Sequence, residues 1–292
     1  MKSRKTLKTI EPFLYISPAL LILFLVLVYP LGYSFYLSFQ DWTIRTFKKG
    51  VNFVGLQNFI DLITNPEFLH SLSVTFKFMA FAISLEFILG MVLALLMNED
   101  IKGRSIFRAL ILLPMMCTNV VVGLTWRLLY NHEFGILNYY LVSWGFKALP
   151  WLSKPGMAFA SLVITDVWNT TSFVALLLLA GLQSLPVEPY QAAEIDGASS
   201  WQSFRYLTLP LLRPTILVAL LWRMIDTFRI YDVPYLLTAG GPGRATETVS
   251  IYIYRYGFQN FNLSYASAAS FLMIIMMLIM AGGLTKIFGS EK

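Results

Sequence analysis

The longest stretch without a charged residue sets the strongest limit on what this chain can fold into. Between Glu11 and Asp41 lie 29 residues that include no Asp, Glu, Lys or Arg. A transmembrane helix needs about 20 mostly apolar residues to cross about 30 Å of hydrocarbon. The stretch is too long for the apolar part of a cleaved signal peptide, and no small-residue cleavage site follows it. It therefore predicts a retained helix that also directs membrane insertion.

Further apolar stretches along the chain predict the fold class. Charged residues make up 13% of the sequence, about half of the roughly 25% found in soluble domains. We therefore expect an all-α membrane protein with a single transmembrane domain over residues 13–288, between short cytoplasmic termini at 1–12 and 289–292. The six expected transmembrane helices lie near residues 13–37, 72–97, 107–130, 157–182, 210–237 and 265–287.

The distribution of Lys and Arg predicts the orientation in the membrane. With the N-terminus inside, the cytoplasmic segments hold 11 basic residues and the outside loops hold 7. Cytoplasmic loops carry the excess of Lys and Arg in membrane proteins, so the N-terminus and the C-terminus are both expected inside. The net charge of +6 is dispersed among apolar runs, which argues against a nucleic-acid partner and leaves the lipid bilayer as the surroundings.

The sequence carries no signature of catalysis or of metal binding. It has no Gly-Lys-Ser or Gly-Lys-Thr, so no P-loop for ATP is expected. Its single cysteine, Cys117, allows no internal disulfide and is expected to be a small core residue. Glu86, an isolated acid within a span, is expected to find a partner either in another helix or at the membrane interface. We therefore expect no catalytic residue, no metal and no cofactor in this chain.

The loop over residues 184–209 predicts two short helices joined by a sharp turn. Pro189 suits the first position of a helix, and Gly197 suits the left-handed residue that ends it. Ser199 followed by Gln202 matches a capping box, so a second helix is expected to begin at once. With the N-terminus inside, this helix-turn-helix is cytoplasmic.

The same loop resembles the EAA signature of the membrane subunits of binding-protein-dependent ABC importers. That signature reads Glu-Ala-Ala, three residues, Gly, nine residues, Ile, one residue and Leu-Pro. The matching residues here are Gln191-Ala192-Ala193, Gly197, Leu207 and Leu209-Pro210. Gln191 replaces the family's Glu, which leaves Glu194 and Asp196 as substitutes for any salt bridge made by that acid.

The resemblance implies that the loop is a coupling helix seated in a groove of a separate ATPase subunit. The fold it implies is that of a type I ABC importer permease in a bacterial or archaeal cytoplasmic (inner) membrane. ATP and Mg would then be bound by the partner ATPase subunits and not by this chain. The residues it assigns to this coupling are Gln191, Ala192, Ala193, Glu194, Asp196, Gly197, Ala198 and Trp201.

Other segments are similar to the sugar-importing branch of this family. They are residues 54–59, residues 107–114 with Trp126, residues 135–138, the run from Asp226 to Asp232, and the run from Leu237 to Pro242 with Thr246-Glu247-Thr248. The last of these looks like the F-type permease of maltose transporters. The resemblance implies a heterodimer with a G-type permease, two ATPase subunits and an extracytoplasmic sugar-binding protein. The sequence leaves disaccharides, oligosaccharides, polyols and acidic sugars open.

By similarity to that permease, eight residues on the fourth and fifth spans are expected to contact the sugar. They are Asp166, Asn169, Thr170 and Phe173 on one span and Arg223, Asp226, Thr227 and Ile230 on the other. The charges on the fifth span also fit a ladder of Arg and Asp pairs that fixes helix packing, with Arg229 pairing with Asp232. Gly240, Gly241 and Pro242 form a turn that is either an interfacial loop or part of the surface receiving the binding protein.

Two alternatives stay open at this level. The first is an ABC permease for a non-sugar or anionic solute such as glycerol phosphate, which Arg223 and Arg229 are suited to bind. The second is a secondary transporter driven by protons through Asp166 and Asp226. The second alternative gives the Gly197 loop no purpose.

Overall fold

The structure is a computed structural model, and it describes residues 15–43, 52–99 and 103–289. The predicted N-terminus at 1–12, and residues 290–292 of the predicted C-terminus at 289–292, lie outside the described residues. Helices dominate, as the composition predicted, and one short antiparallel hairpin pairs Gln40 with Phe53. The strands are β1 (Gln40–Asp41) and β2 (Asn52–Phe53), and the helices are α1 (Tyr15–Ser38), α2 (Gln57–Thr64), α3 (Pro66–Asn98), α4 (Arg104–Leu112), α5 (Asn119–Leu129), α6 (Ile136–Ser143), α7 (Pro155–Gln183), α8 (Glu188–Ile195), α9 (Ser200–Leu211), α10 (Arg213–Phe228), α11 (Asp232–Thr238), α12 (Val249–Tyr254) and α13 (Leu263–Gly289).

In the described part of the chain, four helices are long and apolar enough to cross a membrane. They are α1, α3, α7 and the stretch Leu263–Phe288 of α13. Helices α9 and α10 form a fifth candidate span that is bent by 64° where they meet. The bend lies beside Pro214, whose ring removes a backbone N–H donor and favours the start of a new helix. The count of six spans stays a prediction.

The stretch predicted as a third span, 107–130, is broken in the structure. Helix α4 ends at Leu112, a short turn follows from Pro114 to Met116, and α5 begins at Asn119. Thr118 between them is extended, with φ −69° and ψ 148°. Since α5 has 11 residues and a helix rises about 1.5 Å per residue, it is about 16 Å long and too short to span the bilayer alone.

The chain forms two compact units. The first combines the residues up to Asn65 with Ile253–Ile274, and side-chain hydrogen bonds tie its two segments together. Ser34 donates to Ser267 at 3.1 Å, and the backbone N–H of Trp42 donates to Ser264 at 2.8 Å. The Asn58 amide closes the turn after α1 by donating to the carbonyls of Ser38 and Gln40.

The second unit combines Pro66–Tyr252 with the residues from Ile275 onward, and α3 and α7 pack along each other at its centre. The close approach depends on small residues, because a Cβ at Gly90 would lie 2.9 Å from Val174. Helices α7 and α10 also approach closely, because a Cβ at Gly181 would lie 2.7 Å from Thr215. Two apolar clusters fill the unit, one around Phe78, Val122 and Leu162 and one around Met97, Val174 and Leu178.

Candidate functional site: a charged cavity and an exposed helix-turn-helix

Arg223 of α10 lies at the centre of a buried charge cluster. Its Nε and Nη2 donate to the two carboxylate oxygens of Glu86 on α3, at 2.6 and 2.7 Å. Nη2 also donates to Oδ2 of Asp166 on α7 at 2.8 Å, and Nη1 donates to Oδ2 of Asp226 at 2.9 Å. One guanidinium therefore joins three helices. Glu86 has its partner on another helix, which is one of the two places that its position predicted.

Burial makes this cluster sensitive to the loss of Arg223 or Glu86. Arg223 and Glu86 are both 0% exposed. Charges removed from water lose several kcal/mol of hydration each, and this loss is offset only when geometry and hydrogen bonding are good. The bidentate contact between the Arg223 guanidinium and the Glu86 carboxylate meets that condition. The cluster thus specifies how α3, α7 and α10 meet.

A cavity of about 330 Å³ lies beside this cluster. Six of the eight residues predicted to contact the sugar line it: Asp166, Asn169, Thr170, Phe173, Asp226 and Ile230. The other lining residues are Met115, Cys117, Asn119, Trp222, Arg229, Tyr231, Asp232 and Val233. The structure places Arg223 and Thr227 elsewhere. Both are 0% exposed in the helix packing behind the lining.

The lining combines hydrogen-bonding groups with an aromatic pair. The rings of Phe173 and Trp222 are in contact, with centroids 4.1 Å apart and ring planes tilted by 37°. The Oδ1 atom of Asn169 is buried and has no hydrogen-bond partner in the described part of the chain. A buried acceptor without a donor costs free energy, so Asn169 gains a hydrogen bond when its side chain turns toward a ligand hydroxyl in the cavity. Asp166 and Asp226 add carboxylate acceptors.

Three of the eight other lining residues illustrate what was missed or misplaced from the sequence. Cys117 is exposed and lines the cavity, because the break between α4 and α5 carries it out of the helix packing, so its assignment as a core residue was wrong. Trp222 was missed, although it precedes Asp226 by four residues and so shares its helix face. Asp232 was predicted to pair with Arg229, and it lines the cavity instead.

The predicted pair between Arg229 and Asp232 was also wrong. Arg229 Nη2 lies 3.2 Å from Oδ1 of Asp226 instead. Helix α10 ends at Phe228, and Asp232 begins the next helix, so the two residues do not share a regular helix face. Asp226 lies one turn back on α10, within reach of the Arg229 side chain.

The predicted helix-turn-helix in the 184–209 loop is present as α8 and α9. Gly197 ends the first helix with φ +75°, which an L-residue adopts only with strain. The capping box at Ser199 is complete, because the Gln202 N–H donates to Ser199 and the Ser199 N–H donates to the Gln202 side chain. Pro189 takes the second position of α8 and not the first, because that helix begins at Glu188.

This helix-turn-helix exposes apolar side chains. Ile195 is 86% exposed and Trp201 is 65% exposed. No residue of α8 is buried. The turn borders a groove of about 370 Å³ that includes Ala193, Asp196, Gly197 and Ala198. Of the residues predicted to couple to an ATPase, Ala193 and Ala198 are half-buried, and the exposed ones are Gln191, Ala192, Glu194, Asp196, Gly197 and Trp201.

The turn at Gly240, Gly241 and Pro242 is held tightly inside the second unit. Gly240 is buried at φ +88°, and a Cβ there would lie 3.3 Å from Glu247. Arg244 anchors the turn to the start of α3 through Glu67, with Nη1 and Oε1 2.7 Å apart. The buried Gly240 offers no surface to a binding protein, while Gly241 and Pro242 are half-buried. Gly243 is the exposed tip.

The described residues contain no group of three His, Cys, Asp or Glu side chains placed to hold a metal ion. The three acids around Arg223 are held by that cation and not by a metal. The arrangement can therefore bind and orient a polar ligand by hydrogen bonds, and it offers an exposed apolar element for contact with another protein.

Comparisons with known proteins agree with these features. Residues 86–288 match the model of the family described as binding-protein-dependent transport system inner membrane component. A probable ABC transporter permease, y4oQ of Sinorhizobium fredii, is 42% identical over 92% of this chain and 87% of its own length. The trehalose/maltose transport system permease MalF of Thermococcus litoralis is 40% identical over 91% of this chain and 89% of its own length.

A third relative and one solved structure extend the comparison. The sulfoquinovosyl glycerol transport system permease SmoG of Agrobacterium fabrum is 34% identical over 90% of this chain and 85% of its own length. A chain from a bacterial ABC transporter that imports the acidic polysaccharide alginate superposes over all of both chains, with a TM-score of 0.84 at 22% identity. At that identity the likeness concerns the fold, which agrees with the type I permease fold expected from the sequence.

Proposed function

The chain belongs to the binding-protein-dependent transport system inner membrane components, and from this premise we propose that it is the permease subunit of an ATP-driven sugar importer. Its sequence relatives include trehalose and maltose permeases. The observation that carries the proposal is the cavity, where carboxylates, the side chain of Asn169 and a contacting aromatic pair line the same space. Because the chain belongs to this family, we discard the alternative of a proton-driven secondary transporter.

The chemistry of the lining suits a saccharide. A sugar ring has hydroxyl groups at its edge, which donate hydrogen bonds to Asp166, Asp226 and Asn169. Its C–H face is apolar and packs on an aromatic ring such as Phe173 or Trp222. A small number of polar groups in a largely apolar site orients a ligand without holding it permanently, which a transport pathway requires.

The second part of the proposal concerns coupling. The helix-turn-helix of α8 and α9 binds a separate ATPase subunit, and Ile195 and Trp201 are its apolar contacts. Two ATPase subunits supply ATP and Mg, a G-type permease completes the pathway, and an extracytoplasmic binding protein delivers the sugar. This chain then carries out translocation without a catalytic residue of its own.

An uptake assay tests the proposed function. The importer, assembled with its partner subunits and binding protein in proteoliposomes, is offered radiolabelled trehalose, maltose and glycerol 3-phosphate. We expect uptake of a sugar that requires enclosed ATP, with a reduced rate in Asn169→Ala. Asp61→Asn is the matched control, because Asp61 is an exposed acid on α2 that does not line the cavity. Uptake of glycerol 3-phosphate but of neither sugar would contradict the proposal.

A further inference from the structure

The charges around the cavity are unequal in number. Among the residues that line it, three are acids, Asp166, Asp226 and Asp232, and one is a base, Arg229. Arg229 is itself bound to Asp226, with 3.2 Å between Nη2 and Oδ1. A ligand entering the cavity therefore meets more carboxylate than cation.

Arg223 does not correct this imbalance for a ligand. The residue is fully buried, and it makes four hydrogen bonds to Glu86, Asp166 and Asp226. A guanidinium has five N–H donors, so almost all of them are committed to the protein's own carboxylates. An anionic ligand would have to displace a buried carboxylate to reach it, which would leave that carboxylate without a partner.

The same bonds fix the two carboxylates in the cavity wall. Arg223 holds Oδ2 of Asp166 from one nitrogen and Oδ2 of Asp226 from another, at 2.8 and 2.9 Å. The planar guanidinium keeps its donors at fixed angles, so it sets the orientation of both carboxylates. Carboxylates held in this way accept hydrogen bonds from neutral hydroxyl groups and repel other anions.

From this geometry we propose that the cavity accepts neutral sugars and rejects their anionic counterparts. Asp166 and Asp226 are the specificity-determining residues, and Arg223 is the positioning residue that holds them. This inference rests on the proposed sugar-import function and narrows its substrate class. It also removes the role in anion binding that the sequence suggested for Arg223.

The test compares sugars that differ only in charge. Trehalose and maltose, each also as the 6-carboxylate and the 6-ammonium derivative, are titrated against the complete importer in nanodiscs, and their equilibrium affinities are measured. Working without the binding protein removes that protein's own selectivity. We expect the wild type to bind the neutral sugar about tenfold or more tightly than its carboxylate, because the carboxylate meets like charge at short range.

Variants that remove either a negative or a positive charge from the lining test the inference in opposite directions. Asp226→Asn removes a negative charge and frees Arg229, so the preference for the neutral sugar is expected to fall severalfold. Arg229→Gln removes the positive charge of the lining and is expected to increase that preference. Arg223→Lys keeps the charge but loses the planar fork, and we expect it to lower the preference while assembly persists. Asp61→Asn is the matched acid-to-amide control and should leave the preference unchanged.

The outcomes separate the inference from the proposed function. Tighter binding of the carboxylate than of the neutral sugar overturns the inference and leaves sugar import in place. An unchanged preference in both Asp226→Asn and Arg229→Gln overturns it as well. If none of the six compounds binds the wild type, the sugar-binding role of the cavity and the inference fail together.

Discussion

The surroundings of Arg223 and the turn at Gly197 are both rich in polar residues, yet they differ in how those residues are satisfied. Arg223 is fully buried and bonded to three carboxylates of its own chain. The turn between α8 and α9 exposes Ile195 and Trp201, and helix α8 buries none of its residues. A group already satisfied within the chain organises the fold, whereas an exposed apolar side chain is available to another protein.

This difference follows from the surroundings of the two regions, which are the apolar interior for Arg223 and water for the turn. Ionic groups inside an apolar interior must find partners within the protein, because no water replaces their hydration. The exposed turn faces water, so its polar groups need no internal partner and its apolar residues are the unfavourable ones. Contiguous apolar residues exposed there mark interaction surfaces. The first region should therefore respond to mutation through stability and the second through binding.

The largest effect is expected from removing the central cation. Arg223→Met leaves Glu86 and Asp166 buried without their partner, which typically costs about 3 to 5 kcal/mol. We expect a loss of folded protein in the membrane, measured by fluorescence-detected size exclusion and by thermal unfolding in detergent. The double variant Glu86→Gln with Arg223→Met should recover part of this loss. Wild-type thermal stability in the single variant would show that the cluster does not organise the fold.

At the exposed turn, a mutation is expected to weaken ATPase binding and to leave stability nearly unchanged. Trp201→Ala should leave the stability of this chain within about 0.5 kcal/mol, because Trp201 is largely exposed. Its affinity for the ATPase subunit should fall by about 2 kcal/mol or more, as is typical for an aromatic residue central to an interface. Pull-down of the ATPase by the tagged permease measures this change. A stability loss with intact ATPase binding would reverse the comparison between the two regions.

A smaller effect tests how closely the buried region is packed. In Gly181→Ala the new methyl group would lie 2.7 Å from Thr215, so we expect a destabilisation of about 1 to 3 kcal/mol. Gly156→Ala is the matched control on the same helix, because no atom lies within 4 Å of its Cβ position. Thermal unfolding of both variants measures the difference. Equal stability of the two would contradict the close contact at Gly181.

The smallest effect is expected from the cap of α9. Ser199→Ala removes the side-chain acceptor for the Gln202 N–H, and the loss of such a cap costs about 0.5 to 2 kcal/mol. The change should stay local to the turn, which is already exposed to water. Amide hydrogen exchange should therefore become faster at the start of α9 and stay unchanged in α7. Faster exchange throughout α7 would mean that the turn and the interior are not independent.

Features set by neighbouring residues were predictable from the sequence. The capping box and the left-handed glycine depend on residues within a few positions of each other. Both are therefore predicted directly from Ser199, Gln202 and Gly197. The apolar stretches likewise predicted the long helices α1, α3, α7 and α13. The resemblance to ABC importer permeases agrees with the family that the chain belongs to.

Features set by contacts between distant helices were not predictable. Glu86 and Arg223 are separated by 137 residues, and nothing in either helix alone shows that they meet. Arg223 was therefore placed among the residues facing the substrate. The break before α5 was missed because composition does not distinguish one helix from two short ones around Pro114. Cys117 was misplaced for the same reason.

The central claim is that this chain couples to ATPase subunits through the exposed turn and contacts its substrate through the cavity. Native mass spectrometry of the tagged complex from its own membrane tests the coupling part in Gly197→Asp, with Asp226→Asn as the control whose change lies in the cavity and not at the turn. We expect the wild type and Asp226→Asn to retain a partner permease and two ATPase subunits, and Gly197→Asp to lose the ATPase subunits. A Gly197→Asp complex that keeps both ATPase subunits, or a wild-type chain recovered alone, would contradict the account.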